Sequence, residues 1–139
     1  MPDRIVLADT GPIVAFLVQQ EPGHTWAVRQ FQRLSAPLIT CESVLAESFH
    51  FLRKQRGGAE RFFRLLETGA LSVQFQLSDH LERVGALVRK YESVPMSLAD
   101  ACLVRMSELH PDSQVLTLDG DFRIYRRLGR QVVPTIMPD

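Results

Sequence analysis

The sequence is poor in cysteine, in lysine and in long apolar runs, and each shortage narrows what the chain is. Only Cys41 and Cys102 occur, and they form no CxxC pair. Both sit in apolar, helix-like stretches, so they read as buried free thiols in a reducing compartment. A disulfide between them would need a geometry that sequence does not supply. Net charge is absent too: 16 basic residues face 16 acidic ones, so there is no global pull toward nucleic acid or an anionic membrane, and any nucleic-acid-binding charge must be local. Lys54 and Lys90 are the only lysines; every other basic residue is arginine. The apolar stretch Ile13 to Val18 is far shorter than the ~20 residues of a bilayer-spanning helix. The opening Met-Pro-Asp-Arg lacks signal-peptide architecture, and a cytoplasmic location is expected. Repeats, low-complexity tracts and linkers are also missing.

What is present is an ordinary globular balance. The 139 residues are 45% hydrophobic and 23% charged, enough for one domain, residues 1–139, with a core that needs no staples. Disorder and collagen-like or coiled-coil rods are excluded. Ile5 to Ala8 is a continuous apolar run rich in β-branched residues, the mark of a buried parallel strand. Asp9 or Thr10 can then cap a short helix through Ile13–Leu17, with Pro12 in its first turn. Further helices are expected over Trp26–Leu34, broken by Ala36 and Pro37, and over Cys41–Arg53 and Ala59–Glu67. Two more are expected over Ser78–Tyr91, with Ser78 as N-cap, and Ser97–Leu109. Strands are expected at Pro37–Thr40, Leu71–Phe75 and Gln114–Leu118. A short basic helix, Phe122–Leu128, and a final strand at Val132-Val133-Pro134 complete the pattern. Short strands alternating with helices define an α/β chain built on a parallel sheet.

Four acids stand where solvent alone does not explain them. Asp9 and Asp119 directly follow expected parallel strands, and ligands of open α/β sheets bind outside the carboxyl ends of the strands. Glu47 lies mid-helix with Val44 three residues before and Phe51 four after, an expensive place for an unpaired charge. Asp100 has Leu103 and Val104 one turn on. If the four converge, two like charges ~4 Å apart repel by about 4 kcal/mol at an effective dielectric of 20, and a divalent cation removes the conflict. Oxygen ligands without His or Cys select Mg²⁺ or Mn²⁺ over zinc, and such a site suits hydrolysis of a phosphodiester backbone.

The order of these segments carries a resemblance. An apolar strand ends in Asp9-Thr10; then come Val44-Leu45-Ala46-Glu47, Ser97-Leu98-Ala99-Asp100-Ala101 and Leu116-Thr117-Leu118-Asp119-Gly120-Asp121-Phe122. Over nearly the whole chain this resembles the PIN-domain family, in particular the VapC-type toxin ribonucleases of toxin–antitoxin pairs. The Ser-Leu-Ala-Asp-Ala and Thr-x-Asp-x-x-Phe segments are its most specific parts. The resemblance implies an α/β/α sandwich with a central, mainly parallel sheet flanked by helices. It also implies one or two Mg²⁺ or Mn²⁺ ions, endoribonuclease activity on RNA, a homodimer and a cognate antitoxin. By position, Asp9, Glu47, Asp100 and Asp119 become metal ligands or water activators, Thr10 positions a ligand or phosphate through its hydroxyl, and Asp121 is an auxiliary acid.

Plainer roles compete for the same residues. Asp9 can be only a helix cap; Ser97 to Asp100 fits a capping box; Asp119 fits an Asp-Gly turn; and Glu42 is a nearby alternative to Glu47. Arg123, Arg126, Arg127 and Arg130, and separately Arg53, Lys54 and Arg56, can grip RNA phosphates or an acidic antitoxin tail, or merely face solvent. The histidines at 24, 50, 80 and 110 have no ligand spacing and no HExxH. Trp26, Tyr91 and the phenylalanines read as core, leaving no evident platform for base stacking. A haloacid-dehalogenase-type phosphatase needs a second Asp where Gly11 stands, and a phospho-receiver needs paired acids and a late Lys that are not there. The alternatives to a toxin are a housekeeping RNA-processing nuclease and a catalytically weak PIN-like binding module.

Overall fold

The apolar runs become strands because helices cover the sheet they form. The computed structural model describes residues 4–35 and 37–139. Its strands are β1 (Val6–Ala8), β2 (Leu38–Thr40), β3 (Leu71–Val73), β4 (Gln114–Leu116), β5 (Arg126–Arg127), β6 (Gln131–Val132) and β7 (Thr135–Ile136). Five of them make one sheet in the order β3-β2-β1-β4-β7, and every pairing within it is parallel. Leu7 lies opposite both Ile39 and Val115 at the centre. Leu7, Ala8, Val115 and Leu116 are wholly buried, which is why these strands read as unbroken apolar runs rather than alternating ones. Each fully buried Leu or Val contributes about 1.5–3 kcal/mol.

The helices are α1 (Thr10–Leu17), α2 (His24–Arg33), α3 (Glu42–Leu52), α4 (Gly58–Glu67), α5 (Leu81–Lys90) and α6 (Leu98–Leu109). The first packs on the next three, and α6 packs on α5, α3 and the strands β1 and β4. This is the expected α/β arrangement of a parallel sheet flanked by helices. Between α3 and α4 the chain reverses at Gly57, with φ +69, and Gly58, where any side chain would overlap the Leu52 carbonyl. Among the described residues no helix is long and apolar enough to cross a membrane, and both cysteines are buried and free.

Topology fixes where a ligand can sit. From β1 the chain steps outward through β2 to β3, then returns to the other flank of β1 with β4. The reversal lies between β1 and β4, and the crevice above their carboxyl ends is the expected ligand position. Two bonds fasten its floor: the Asp9 N–H donates to the Leu116 carbonyl at 3.0 Å, and the Thr40 hydroxyl donates to the Ala8 carbonyl at 2.9 Å.

Three local expectations change. Ser78 caps no α-helix: Leu77–Asp79 form a 3₁₀ turn and α5 starts only at Leu81. The preceding His80 is pinned, stacked on Phe75 with ring centroids 4.9 Å apart and accepting from Arg105 Nε at 3.1 Å. The basic helix Phe122–Leu128 is instead a 3₁₀ turn, Gly120–Arg123, followed by the antiparallel β5–β6 hairpin. Left-handed backbone at Leu128 and Gly129 (φ +48 and +86) makes its turn. The final parallel strand is β7, while Val132 belongs to the hairpin. Ala36, one of the expected helix breakers, and residues 1–3 lie outside the described residues.

Candidate active site

Asp9 is the hinge between β1 and α1. As N-cap its Oδ1 accepts the Thr10 N–H at 2.7 Å, so the capping role foreseen for it is real. Its other oxygen, Oδ2, accepts the Thr117 hydroxyl at 2.7 Å, and Thr117 Oγ1 in turn accepts the Asp119 N–H at 2.9 Å. One threonine thus ties the acid after β1 to the acid beyond β4. Asp119 caps the following 3₁₀ turn by accepting the Asp121 N–H at 2.9 Å. Asp100 stands in the first turn of α6, where its N–H donates to the Ser97 N-cap at 3.0 Å. Its carboxylate is held by another group: Oδ2 accepts the hydroxyl of Tyr125 at 2.7 Å.

These side chains meet in a cleft of about 270 Å³ lined by Asp9, Thr10, Gly11, Glu47, Phe51, Asp100, Leu118 and Asp119. Among the described residues no basic side chain lines it. Burial pushes Asp9 up to about 7, against the Thr117 hydrogen bond and with added repulsion from Asp100 and Glu47. Burial likewise pushes Asp100 up to about 6, with repulsion from Asp119 and Glu47, against the bonds from Tyr125 and Ser97. Burial and the bond to Asp100 hold the Tyr125 phenol far above its ordinary range, so it remains a donor at any working pH. The Thr10 hydroxyl is buried without a hydrogen-bond partner, an orphan that normally calls for a ligand or water. Among the described residues no group of three or more His, Cys, Asp or Glu side chains is arranged so as to hold a metal ion.

The PIN-domain family model matches residues 6–128. The chain belongs to the PIN-domain family. The fold of this PIN domain is similar to that of Mycobacterium tuberculosis VapC20, described as a sarcin–ricin-loop-cleaving toxin. The TM-score is 0.74 with 18% identity, over 84% of this chain and 91% of that one; a likeness at that identity speaks for the fold. No curated protein matches by sequence.

The PIN domain thus brings Asp9, Thr10, Glu47, Asp100 and Asp119 to one cleft and leaves Asp121 beside it, half-buried. Glu42, the alternative to Glu47, is exposed at the start of α3 and does not line the cleft. Arg127 departs from the expectation of a phosphate contact. It is buried, and its guanidinium donates to the carbonyls of Ser107 and Pro111 at 2.8 and 2.9 Å, at the negative end of α6. Arg126 Nη1 is engaged by the carbonyls of Arg123, Ile124 and Tyr125; Arg123 is exposed. Two contributors escaped sequence reasoning. Thr117 was visible inside the Thr-x-Asp motif, and a hydroxyl two residues before a strand-end acid is the signal that would have found it. Tyr125 lies 25 residues from Asp100 with no shared motif, and only the fold joins them.

Proposed function

We propose that this PIN domain is a divalent-metal-dependent endoribonuclease and the toxin of a toxin–antitoxin pair. The observation that supports the nuclease reading is the cleft itself: two buried carboxyls with raised proton affinity, two more acids beside them, and among the described residues no basic side chain in its lining to balance them. Such a set fits a hard divalent ion, because the ion relieves the repulsion and the orphan Thr10 hydroxyl gains a partner. Asp9, Glu47, Asp100 and Asp119 would hold Mg²⁺ or Mn²⁺. The ion when bound would supply polarisation of a phosphodiester oxygen and a more acidic water.

The chain's own residues do the rest. Thr117 fixes one oxygen of Asp9 and the Thr10 N–H fixes the other, so the carboxylate cannot swing away as substrate enters. Tyr125 donates to Oδ2 of Asp100 and holds that carboxylate in place. Asp119, anchored through its own N–H to Thr117, lines the same cleft. Glu47, on a separate helix, would orient a water or accept its proton. The toxin assignment draws on the family and on the fold shared with VapC20; a homodimer and a neutralising antitoxin belong to the same reading.

The test compares wild type with Asp100→Asn on structured RNA in Mn²⁺ or Mg²⁺, with EDTA controls and folding checked for both. Cleavage should require metal and fall by at least about a hundredfold in the variant. Equal cleavage by the two proteins, or cleavage that survives EDTA, would refute the site. Expression in a bacterial host should arrest growth, relieved by a co-expressed neighbouring gene; unhindered growth with active enzyme present would favour a housekeeping nuclease.

A further inference from the structure

We propose that the polar cavity between the end of α1 and the α3–α4 turn is a phosphate-binding site separate from the acid cleft. It measures about 450 Å³ and is lined by His24, Arg56, Arg61 and the amides of Gln19, Gln20 and Gln55. It shares no lining residue with the acid cleft. Among the described residues no acid lines it. The ion pairs among those residues join Arg83 and Arg105 to Glu108, so neither Arg56 nor Arg61 has a carboxylate partner. In a chain whose 16 basic and 16 acidic residues balance, this is local positive charge without a counter-ion. Two guanidiniums beside amide donors select an anion, and the guanidinium fork matches the oxygens of a phosphate two at a time.

The half-buried cation of this cavity is fixed in advance. Arg61 donates from Nε to the Leu17 carbonyl at 3.0 Å and from Nη1 to the Arg56 carbonyl at 2.9 Å. Its Nη2 has no acceptor among the described residues. The two bonds tie α4 to the end of α1 and to the turn before α4, so the guanidinium meets a ligand with little side-chain freedom left to lose. Gly57, with φ +69, leaves room for it: a Cβ there would stand 3.2 Å from Nη1. The His24 ring is held in the same manner, its Nδ1 donating to the Ala15 carbonyl at 2.8 Å. Arg56, exposed on the turn, supplies the second guanidinium. A carboxylate has two oxygens and can satisfy one such fork; a phosphate has enough to engage both forks and an amide together. The volume lies within the roughly 300–1,000 Å³ of small-molecule sites, so the phosphate can carry a nucleoside with it. That phosphate comes either from a nucleic-acid strand or from a free mononucleotide, and the chemistry that recognises it is the same.

The test is run in EDTA, so that no metal at the acid cleft contributes. Calorimetry follows the binding of adenosine monophosphate and, separately, of a short RNA without terminal phosphates, with inorganic phosphate as competitor. The proteins are wild type, Arg56→Gln, Arg61→Gln and a control, Arg89→Gln, which removes an exposed arginine on α5. Arg56→Gln keeps the backbone carbonyl that Arg61 uses, so the proposal stays testable if Arg61→Gln fails to fold. Wild type should bind at least one probe, and phosphate should displace it. Affinity should fall at least about tenfold in Arg56→Gln, as for loss of a hydrogen bond to a charged group, and stay unchanged in Arg89→Gln. Binding of the mononucleotide alone identifies a free nucleotide as the source of the phosphate; binding of the RNA identifies a strand. Equal losses in Arg56→Gln and Arg89→Gln would reduce the effect to net charge and overturn the site. So would failure of both probes, or displacement by an acidic peptide and not by phosphate.

Discussion

At the scale of single residues, the cleft is built from pairs in which one member is a carboxylate and the other holds it still. Tyr125 is the clearest holder. It is fully buried, meets Tyr91 and Phe122 edge-on at 5.1 and 5.2 Å, and spends its hydroxyl on Asp100. Tyr125→Phe keeps the ring and removes only that bond. Loss of a partner behind a metal-binding carboxylate commonly costs tenfold to a hundredfold in metal affinity or activity, whereas the fold loses only about 1–2 kcal/mol. The variant should melt within a few degrees of wild type yet need about ten times more Mn²⁺ for half-maximal cleavage. An unchanged metal requirement would make Tyr125 a packing residue and nothing more. Thr117→Val asks the same of Asp9 from the other wall.

At the scale of elements, the hairpin that carries Tyr125's successors is moored by a buried acid far from the cleft. Glu108, at the end of α6, accepts two bonds from Arg83 at 2.9 and 2.6 Å, one from Arg105 at 3.2 Å, and the Leu128 N–H at 2.7 Å. Burial alone would raise its proton affinity, but Arg83, the Leu128 N–H and Arg105 hold it below the usual carboxylate range. Glu108→Ala strands two guanidiniums and a backbone donor. Because both arginines keep some contact with water, the cost should fall near the lower end for a broken buried pair, about 3 kcal/mol, read as a lower urea midpoint. Unchanged stability would show the network to be ornamental. The same region shows what sequence can and cannot say. Strand ends are local patterns, and they led to Asp9 and Asp119; Asp100 stood out by Leu103 and Val104 one turn on, with the Ser97 cap as the competing reading. Glu47 stood out because it breaks the apolar rhythm of its own helix. The hairpin was hidden because Arg126 and Arg127 look like the polar face of a helix; what overrides that look is the pull of the Ser107 and Pro111 carbonyls on Arg127 and the left-handed turn at Leu128 and Gly129. Phe51 was misread for the converse reason, since composition cannot tell a phenylalanine at a cleft mouth from one in the core.

At the scale of the whole molecule, a chain of zero net charge carries two ionisable systems of opposite sign, and stability against pH should reveal both. Asp9 and Asp100 bind protons more tightly folded than unfolded, with folded values near 7 and 6 against an unfolded value of about 4. Between about pH 4 and pH 7 the metal-free native state therefore holds more protons than the unfolded one, and stability must fall as pH rises through that window. Glu108 acts in reverse: its proton affinity is lowered by folding, so its contribution is present above the unfolded value and lost as pH drops below about 4.5. In EDTA the melting temperature should peak near about pH 5 and decline toward neutrality. Millimolar Mg²⁺ should remove most of that decline, because an ion bound to ionised carboxylates favours the folded, deprotonated state. Asp9→Asn should flatten the EDTA profile without any metal, since it deletes the proton that the native state prefers to keep. A melting temperature that rises steadily from pH 5 to pH 7 in EDTA, or an Asp9→Asn profile parallel to wild type, would mean that the carboxyls are not jointly buried as described, and the case for a divalent ion in the cleft would lose its physical basis.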